Sequence, residues 1–269
     1  MFHKIGVTAL LISLGLGLGA GAARAADTPD VQTIVNKANL AAYYQGDDGK
    51  ATVKMIITDK QGNTREREFN ILRKDVKDGG DQNYFVYFQR PADVRRMVYM
   101  VHKHAAVDRD DDRWLYMPAL DLIKRVAASD KRTSFVGSDF VYEDVSGRSL
   151  ELDTHELVET TDQHYVVKNV PKRPELVEFG HYNVHIDRKT FMPMKMEYFG
   201  KDNGKLFRTI ESVKVEEIEG FPTVTRSVVT DLRTGGKTEM QFNNVDYNIG
   251  IGDIFEERYL RRPPREAMR

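Results

Sequence analysis

Two periods of apolar residues divide the chain. In residues 27–46, DTPDVQTIVNKANLAAYYQG, Val31, Ile34, Val35, Ala38 and Ala42 return every three or four positions. Thr28 can cap the run, Pro29 suits a first turn and Gly46 can end it, so this stretch predicts one amphipathic helix. From Lys50 onward the period shortens to two. Short β-rich runs follow one another: KATVKMIIT, TREREFNILRK, NYFVYFQ, RSLELDTHELVE, HYVVKNV, HYNVHIDRKTFMPMKMEYF, KLFRTIESVKVEEI, TVTRSVVTDL and KTEMQFNNVDY. Turn-forming stretches such as DKQGN, DGGDQ, DNGK and TGGK separate them, and that spacing predicts an antiparallel meander. A sheet of so many strands has to curl or close, because a long flat one would leave its edges and one apolar face in water.

The strand residues say what the curl can enclose. In FMPMKMEYF, Met192, Met194, Met196 and Tyr198 fall on one face at a period of two, with Pro193, Lys195 and Glu197 on the other. Unbranched thioether side chains adapt to irregular apolar partners, so this stripe suits a cavity for flexible acyl chains. From periodicity alone, ordinary core packing is the simpler reading. In RWLYMP, Trp114, Leu115, Tyr116 and Met117 leave neither face polar, which implies burial on both sides.

The first residues bear on location. Lys4 is followed by an apolar run from Ile5 to Ala20 and by Ala23-Arg24-Ala25. The run is short for a bilayer span, and the small-x-small triplet is a cleavage pattern, so residues 1–25 read as an export leader rather than a retained anchor. Residues 26–269 then form a single domain, since no Pro/Ser/Gly-rich linker divides them. The 40 basic residues, less Lys4 and Arg24, stand against 41 acidic ones, a balance that gives nucleic acid no reason to bind. The chain has no cysteine, which excludes disulfides, thiolate chemistry and a lipid-modified Cys anchor. The expectation is a periplasmic protein, exported and not lipid-anchored.

Patterns that invite catalysis do not hold up. Asp108, Asp110 and Asp112 have the spacing that opens a calcium loop, but Arg113 stands where the turn glycine belongs and Ala119 where the bidentate Glu belongs. His102 with His104, and His181 with His185, would share strand faces and could bind a metal, although the second pair reads more simply as solvent-facing. Ser138 lacks a nucleophile elbow, and no phosphate or dinucleotide loop is present. The reading is a non-enzyme without metal or cofactor.

The block RWLYMPALDLIKRVAASDKRTSFVGSDFVYEDV, residues 113–145, closely resembles the signature of the LolA-like outer-membrane lipoprotein-sorting proteins. The resemblance is carried by Trp114, Leu115, Tyr116, Pro118, Ala119, Leu120, Lys124, Arg125, Phe135, Gly137, Ser138, Asp139, Phe140, Tyr142, Glu143 and Asp144. The leader, the leading helix, the meander and the ending FNNVDYNIGIGDIFEERYL fit the same family. It implies a mainly β fold in which a strongly curved antiparallel sheet forms an incomplete half-barrel, with helices covering its opening and lipid held inside. It also implies a periplasmic carrier or acceptor of lipids or lipid-anchored proteins, moving them toward the outer membrane. An inner-membrane transporter or RND-type exporter and an outer-membrane acceptor are the partners implied.

On this basis Trp114, Tyr116, Phe135, Phe140, Met192, Met194, Met196 and Tyr198 are the candidate residues for a lipid cavity or its lid. Within the block, Gly137 permits a sharp turn, and Ser138 can cap a short helix running through Val145 and stopped by Gly147. Two other classes stay open: a sensor that detects mislocalised lipoproteins and signals to a membrane partner, and a β scaffold with a filled core.

Overall fold

The computed structural model describes residues 28–77, 79–106 and 108–269; the leader expected over residues 1–25 lies outside them. Helix α1 (Val31–Tyr43) comes first, and its N-cap is Asp30 rather than Thr28. The Asp30 carboxylate accepts the Thr33 N–H at 2.9 Å, satisfying one of the free donors of the first turn. Ile34, Val35 and Ala38 are its buried residues.

Thirteen strands follow: β1 (Asp48–Thr58), β2 (Thr64–Asp75), β3 (Gln82–Arg90), β4 (Val98–Lys103), β5 (Asp112–Met117), β6 (Leu122–Arg125), β7 (Asp153–Thr160), β8 (His164–Pro171), β9 (Phe179–Asp187), β10 (Pro193–Gly200), β11 (Leu206–Ile218), β12 (Phe221–Asp231) and β13 (Gly236–Tyr247). They make one antiparallel sheet in the order β6-β5-β4-β3-β2-β1-β13-β12-β11-β10-β9-β8-β7. The sheet does not close, and β6 and β7 are its free edges. The meander is therefore interrupted once, where the chain passes from β6 at one edge to β7 at the other.

The sheet is strongly curved. Val86 of β3 and Val167 of β8 are eight strand steps apart, roughly 38 Å in a flat sheet, yet both line one cavity. Bulges help it bend. They interrupt the register between Lys50 and Thr52, Pro193 and Lys195, Leu157 and Glu159, and around Ser212 to Val215.

The strands β2–β5 are buried on both faces. Phe69, Tyr84, Val86, Phe88, Tyr99, Val101 and Leu115 point into the concavity, while Leu72, Phe85, Val98, Met100, Trp114 and Tyr116 pack on the outer face. This is why the alternation in RWLYMP is apolar on both sides. The outer residues are covered by the C-terminal segment, through Ile251, Ile254, Phe255, Leu260 and Ala267. That segment includes the short helices α3 (Arg258–Arg261) and α4 (Arg265–Met268). Polar contacts pin it. The buried Asp48 carboxylate accepts the N–H groups of Ile249 at 2.8 Å and Ile251 at 2.6 Å, and the Asn70 amide donates to the Ala267 carbonyl at 3.0 Å.

The predicted meander lacks two of the strands. β4 is buried along nearly all its length and so shows no alternation, while β6 is only four residues long and mostly exposed. RSLELDTHELVE also begins late as a strand, because Leu150–Leu152 forms a 3-10 turn before β7.

Leu260, fully buried against the outer face, is expected to lose about 2–5 kcal/mol of stability on substitution to Ala. Denaturant unfolding followed by Trp114 fluorescence measures this directly, because Trp114 belongs to the same cluster.

Candidate functional site

Between the two halves of the curved sheet lies a cavity of about 280 Å³. One wall comes from Phe69, Ile71 and Val86 of β2 and β3, and the other from Val167, Val184, Ile186, Met196 and Tyr198 of β8–β10. Ile210, Ser227, Met240 and Phe242 form its floor on β11–β13. Helix α1 contributes Val35, Ala38, Asn39, Ala42 and Tyr43. The remaining cover is the connection from β6 to β7, which carries Arg132, Phe135, Phe140 and the short helix α2 (Tyr142–Ser146).

The connection is held to both halves of the sheet. On the near side Phe135 is fully buried, its ring 6.2 Å from that of Phe69, 5.9 Å from Phe88 and 5.5 Å from Tyr99. Such edge and tilted ring pairs stabilise beyond the area they bury. On the far side the attachment is ionic. Arg132 donates to Glu143 at 2.7 Å and grips Glu178, next to β9, with two bonds of 2.8 and 2.7 Å. Arg148 makes a two-pronged pair with Asp153 of β7 at 2.9 Å each, and reaches Glu143 at 3.3 Å. Arg208 of β11 binds the Asp144 carboxylate and the Asp139 carbonyl. Three guanidinium groups also lie against aromatic rings: Arg132 is 4.9 Å from the centre of Phe179, Arg148 5.5 Å from the same ring, and Arg208 5.3 Å from Tyr198.

Burial alone would raise the Glu143 carboxyl. The neighbouring Arg132, Arg148 and Lys131 outweigh it and hold the group below its ordinary value. Glu178 behaves alike, with burial raising it and Arg132 lowering it further. Both carboxylates are therefore ionised in the folded state at neutral pH.

Of the residues singled out in the sequence, Phe135, Phe140, Met192, Met196 and Tyr198 line this cavity. Met194 does not. Pro193 pairs with Ile186 and Lys195 with His185, so Met194 is the extra residue of a bulge. The bulge shifts the alternation: Pro193 and Met196 both face inward, and the stripe is not a continuous row. Trp114 and Tyr116 also lie away from the cavity, on the outer face beneath the C-terminal segment. Tryptophan fluorescence therefore reports that face. Ser138 caps no helix. Its hydroxyl donates to the Phe135 carbonyl at 2.7 Å and closes the turn through Val136 and Gly137, both at positive φ. The helix starts later, after Val141, whose N–H is accepted by Asp144 at 2.7 Å, and it ends at Gly147 as expected.

The histidines are engaged separately. His102 bonds the Phe255 carbonyl at 2.7 Å, and His104 lies between Asp81 and Asp112. His181 stacks on Phe199, and His185 bonds Glu197 at 2.9 Å. Among the described residues, no group of three or more His, Cys, Asp or Glu is placed to hold a metal ion. No helix among them is long and apolar enough to cross a membrane. Sequence reasoning missed Arg132, Arg148 and Arg208. Their one local signal was the presence of Glu143 and Asp144 among aromatics in the 113–145 block.

An open, curved antiparallel sheet with helical cover over an apolar cavity is a LolA-like fold. Residues 80–262 match the model of a family described as uncharacterized proteins, and the chain belongs to that family. Solved structures agree. A DUF1329 family protein from Desulfovibrio piger is 27% identical with a TM-score of 0.78, covering 87% of this chain and 100% of its own. A putative outer membrane lipoprotein-sorting protein domain from Vibrio parahaemolyticus is 24% identical with a TM-score of 0.77, covering 86% and 98%. A LolA superfamily protein from Nitrosomonas europaea is 18% identical with a TM-score of 0.66, covering 86% and 100%. The last two show the fold alone. No curated protein matches the chain.

Because Glu143 and Glu178 are held below the ordinary glutamate value of 4.5, their contribution is fully present above that pH and is lost as pH falls through their lower folded values. Stability is expected to decline in that acid range, and Glu143→Gln to flatten the decline. The same variant should lose about 3 kcal/mol at neutral pH, since it strands buried cations. Urea unfolding across a pH series reads both effects.

Proposed function

We propose that the protein carries acyl chains of lipids or lipidated proteins across the periplasm toward the outer membrane. The covered apolar cavity carries this reading. It is lined from both halves of the sheet, and its volume of about 280 Å³ is just below the roughly 300–1,000 Å³ typical of small-molecule sites. In this closed form it suits one acyl chain. Each methylene leaving water contributes about 0.8 kcal/mol, so a chain of ordinary length offsets the ordering it undergoes on binding.

Larger cargo requires the cover to move. Helix α1 and the β6–β7 connection are the parts that can lift without breaking the sheet's own ladder, since the aliphatic packing of Ile34, Val35 and Ala38 holds the helix and buried aromatics and ion pairs hold the connection. Cargo and cover compete for the same apolar lining, which brings open and closed states close in energy and permits release to an acceptor. The resemblance of the 113–145 block supports the finer role: an accessory to an RND-type exporter or inner-membrane transporter, passing its load to an outer-membrane acceptor. The export leader read in residues 1–25 supports the periplasmic location.

Met196 and Met194 separate this reading from that of a filled core. Met196→Glu places a carboxylate in the cavity, where water can accompany it. The variant should fold and lose binding of a fluorescent fatty acid by more than tenfold, roughly the effect of 1.4 kcal/mol or more. Met194→Glu, outside the lining, should bind like the parent. Thermal unfolding and probe binding on the same samples decide it, and a folded Met196→Glu protein that binds normally would refute the cavity as the binding site.

A further inference from the structure

A second cavity, of about 240 Å³, adjoins the first. Glu143, Gly147 and Arg148 line both. The partition is thin. A Cβ added to Gly147 would stand 2.5 Å from the Tyr43 ring, so the backbone of Gly147 rests directly on that ring. Tyr43 lines the apolar cavity, and the Lys103 ammonium, which lines the second, sits 4.9 Å from the centre of the same ring.

The second cavity is polar and cationic. Lys103, Arg109, Arg113, Lys131, Arg148 and Arg173 line it against Asp108, Asp110, Asp111 and Glu143. Five of these cations are committed: Arg109 to Asp112, Arg113 to Asp110 and Asp111, Lys131 to Asp110 and Glu143, Arg148 to Glu143 and Asp153, and Arg173 to Glu175. Lys103 differs. It is only 6% exposed, and its hydrogen bond goes to a neutral group, the Ser146 carbonyl at 2.7 Å. An ammonium has three donors, so it retains capacity for an anion. Beside it the Ser146 hydroxyl is buried with no hydrogen-bond partner among the described residues.

We propose that the second cavity is a head-group site: it receives the carboxylate or phosphate of a single-chain anionic amphiphile, with Lys103 as its principal contact, while the tail occupies the apolar cavity. The inference rests on the reading of that cavity as an acyl-chain site. The two cavities share the Glu143–Arg148 pair and Gly147 as a common wall, so head and tail bind together once that pair parts as the ligand enters. Burial also draws the Lys103 ammonium down to about 8, with the nearby Asp111 and Glu143 carboxylates only partly offsetting it, and an anion set against the ammonium would raise it again.

Titration calorimetry on the exported chain near neutral pH, with decanoate, decanol and inorganic phosphate as probes, tests this. Decanoate should bind about tenfold more tightly than decanol, the gain of a charge-assisted contact, and phosphate alone should bind far more weakly than decanoate. Lys103→Met should bring decanoate to the level of decanol. Equal binding of decanoate and decanol by the parent would overturn the head-group site and leave the tail cavity standing. Phosphate binding as strong as that of decanoate would mark a free-anion site and overturn it too, as would a folded Lys103→Met protein that keeps the preference. Failure of both decanoate and decanol to bind would instead strike the acyl-chain reading on which the proposal rests. The comparison in the parent decides the matter even if the variant does not fold.

Discussion

The buried carboxylate of Glu143 is the point on which the cover of this protein depends. Lys131, Arg132 and Arg148 surround it, and two of these reach on to Glu178 and Asp153 at the far half of the sheet. The cover is thus tied to β7 and the start of β9, six to ten strand steps from the strands β2–β4 that hold Phe135. A buried network of this kind adds little net stability over an apolar packing, but it is costly to leave half-made. That makes it suited to fixing one closed arrangement without filling the space beneath it. Apolar side chains in the same positions would have packed into the cavity and closed it.

The rest of the architecture divides the work between the two sheet faces. On β2–β5 the outer face is sealed by the chain's own C-terminal segment, tied down through Asp48 and Asn70. The inner face is only partly filled, by Phe135 and its neighbours. Rigidity comes from the first arrangement and free space from the second. The curvature that brings the halves together comes from the twist and bulges of a long sheet, and those bulges also decide which side chains face inward.

Much of this was legible in the chain. The period of 3.6 located α1, the period of two located most strands, and the apolar strands required a curved sheet with covered faces, because a flat one would expose them. The 113–145 block carried the family resemblance, which with the methionine alternation put forward Phe135, Phe140, Met192, Met196 and Tyr198 as candidates, and the fold sets them around the cavity. Such properties are legible because backbone propensity and side-chain alternation act over a few residues.

Other features depend on which strands meet. Trp114 and Tyr116 alternate with Leu115 between two buried faces, and periodicity cannot say which one encloses the cavity. Met194 left the stripe because the pairing of β10 with β9 contains a bulge, a property of two strands rather than one. Arg208 and Asp144, 64 residues apart, and Arg132 and Glu178, 46 apart, carry no mark of their partnership in the sequence. The chain by itself determined the elements, the need to curl and the apolar character of the interior, since each follows from local sterics and the transfer of side chains out of water. Only the tertiary structure decided which face became the cavity, which charges closed it and what lies on the far side of Gly147, because register, curvature and long-range ion pairs exist only once distant strands are brought together.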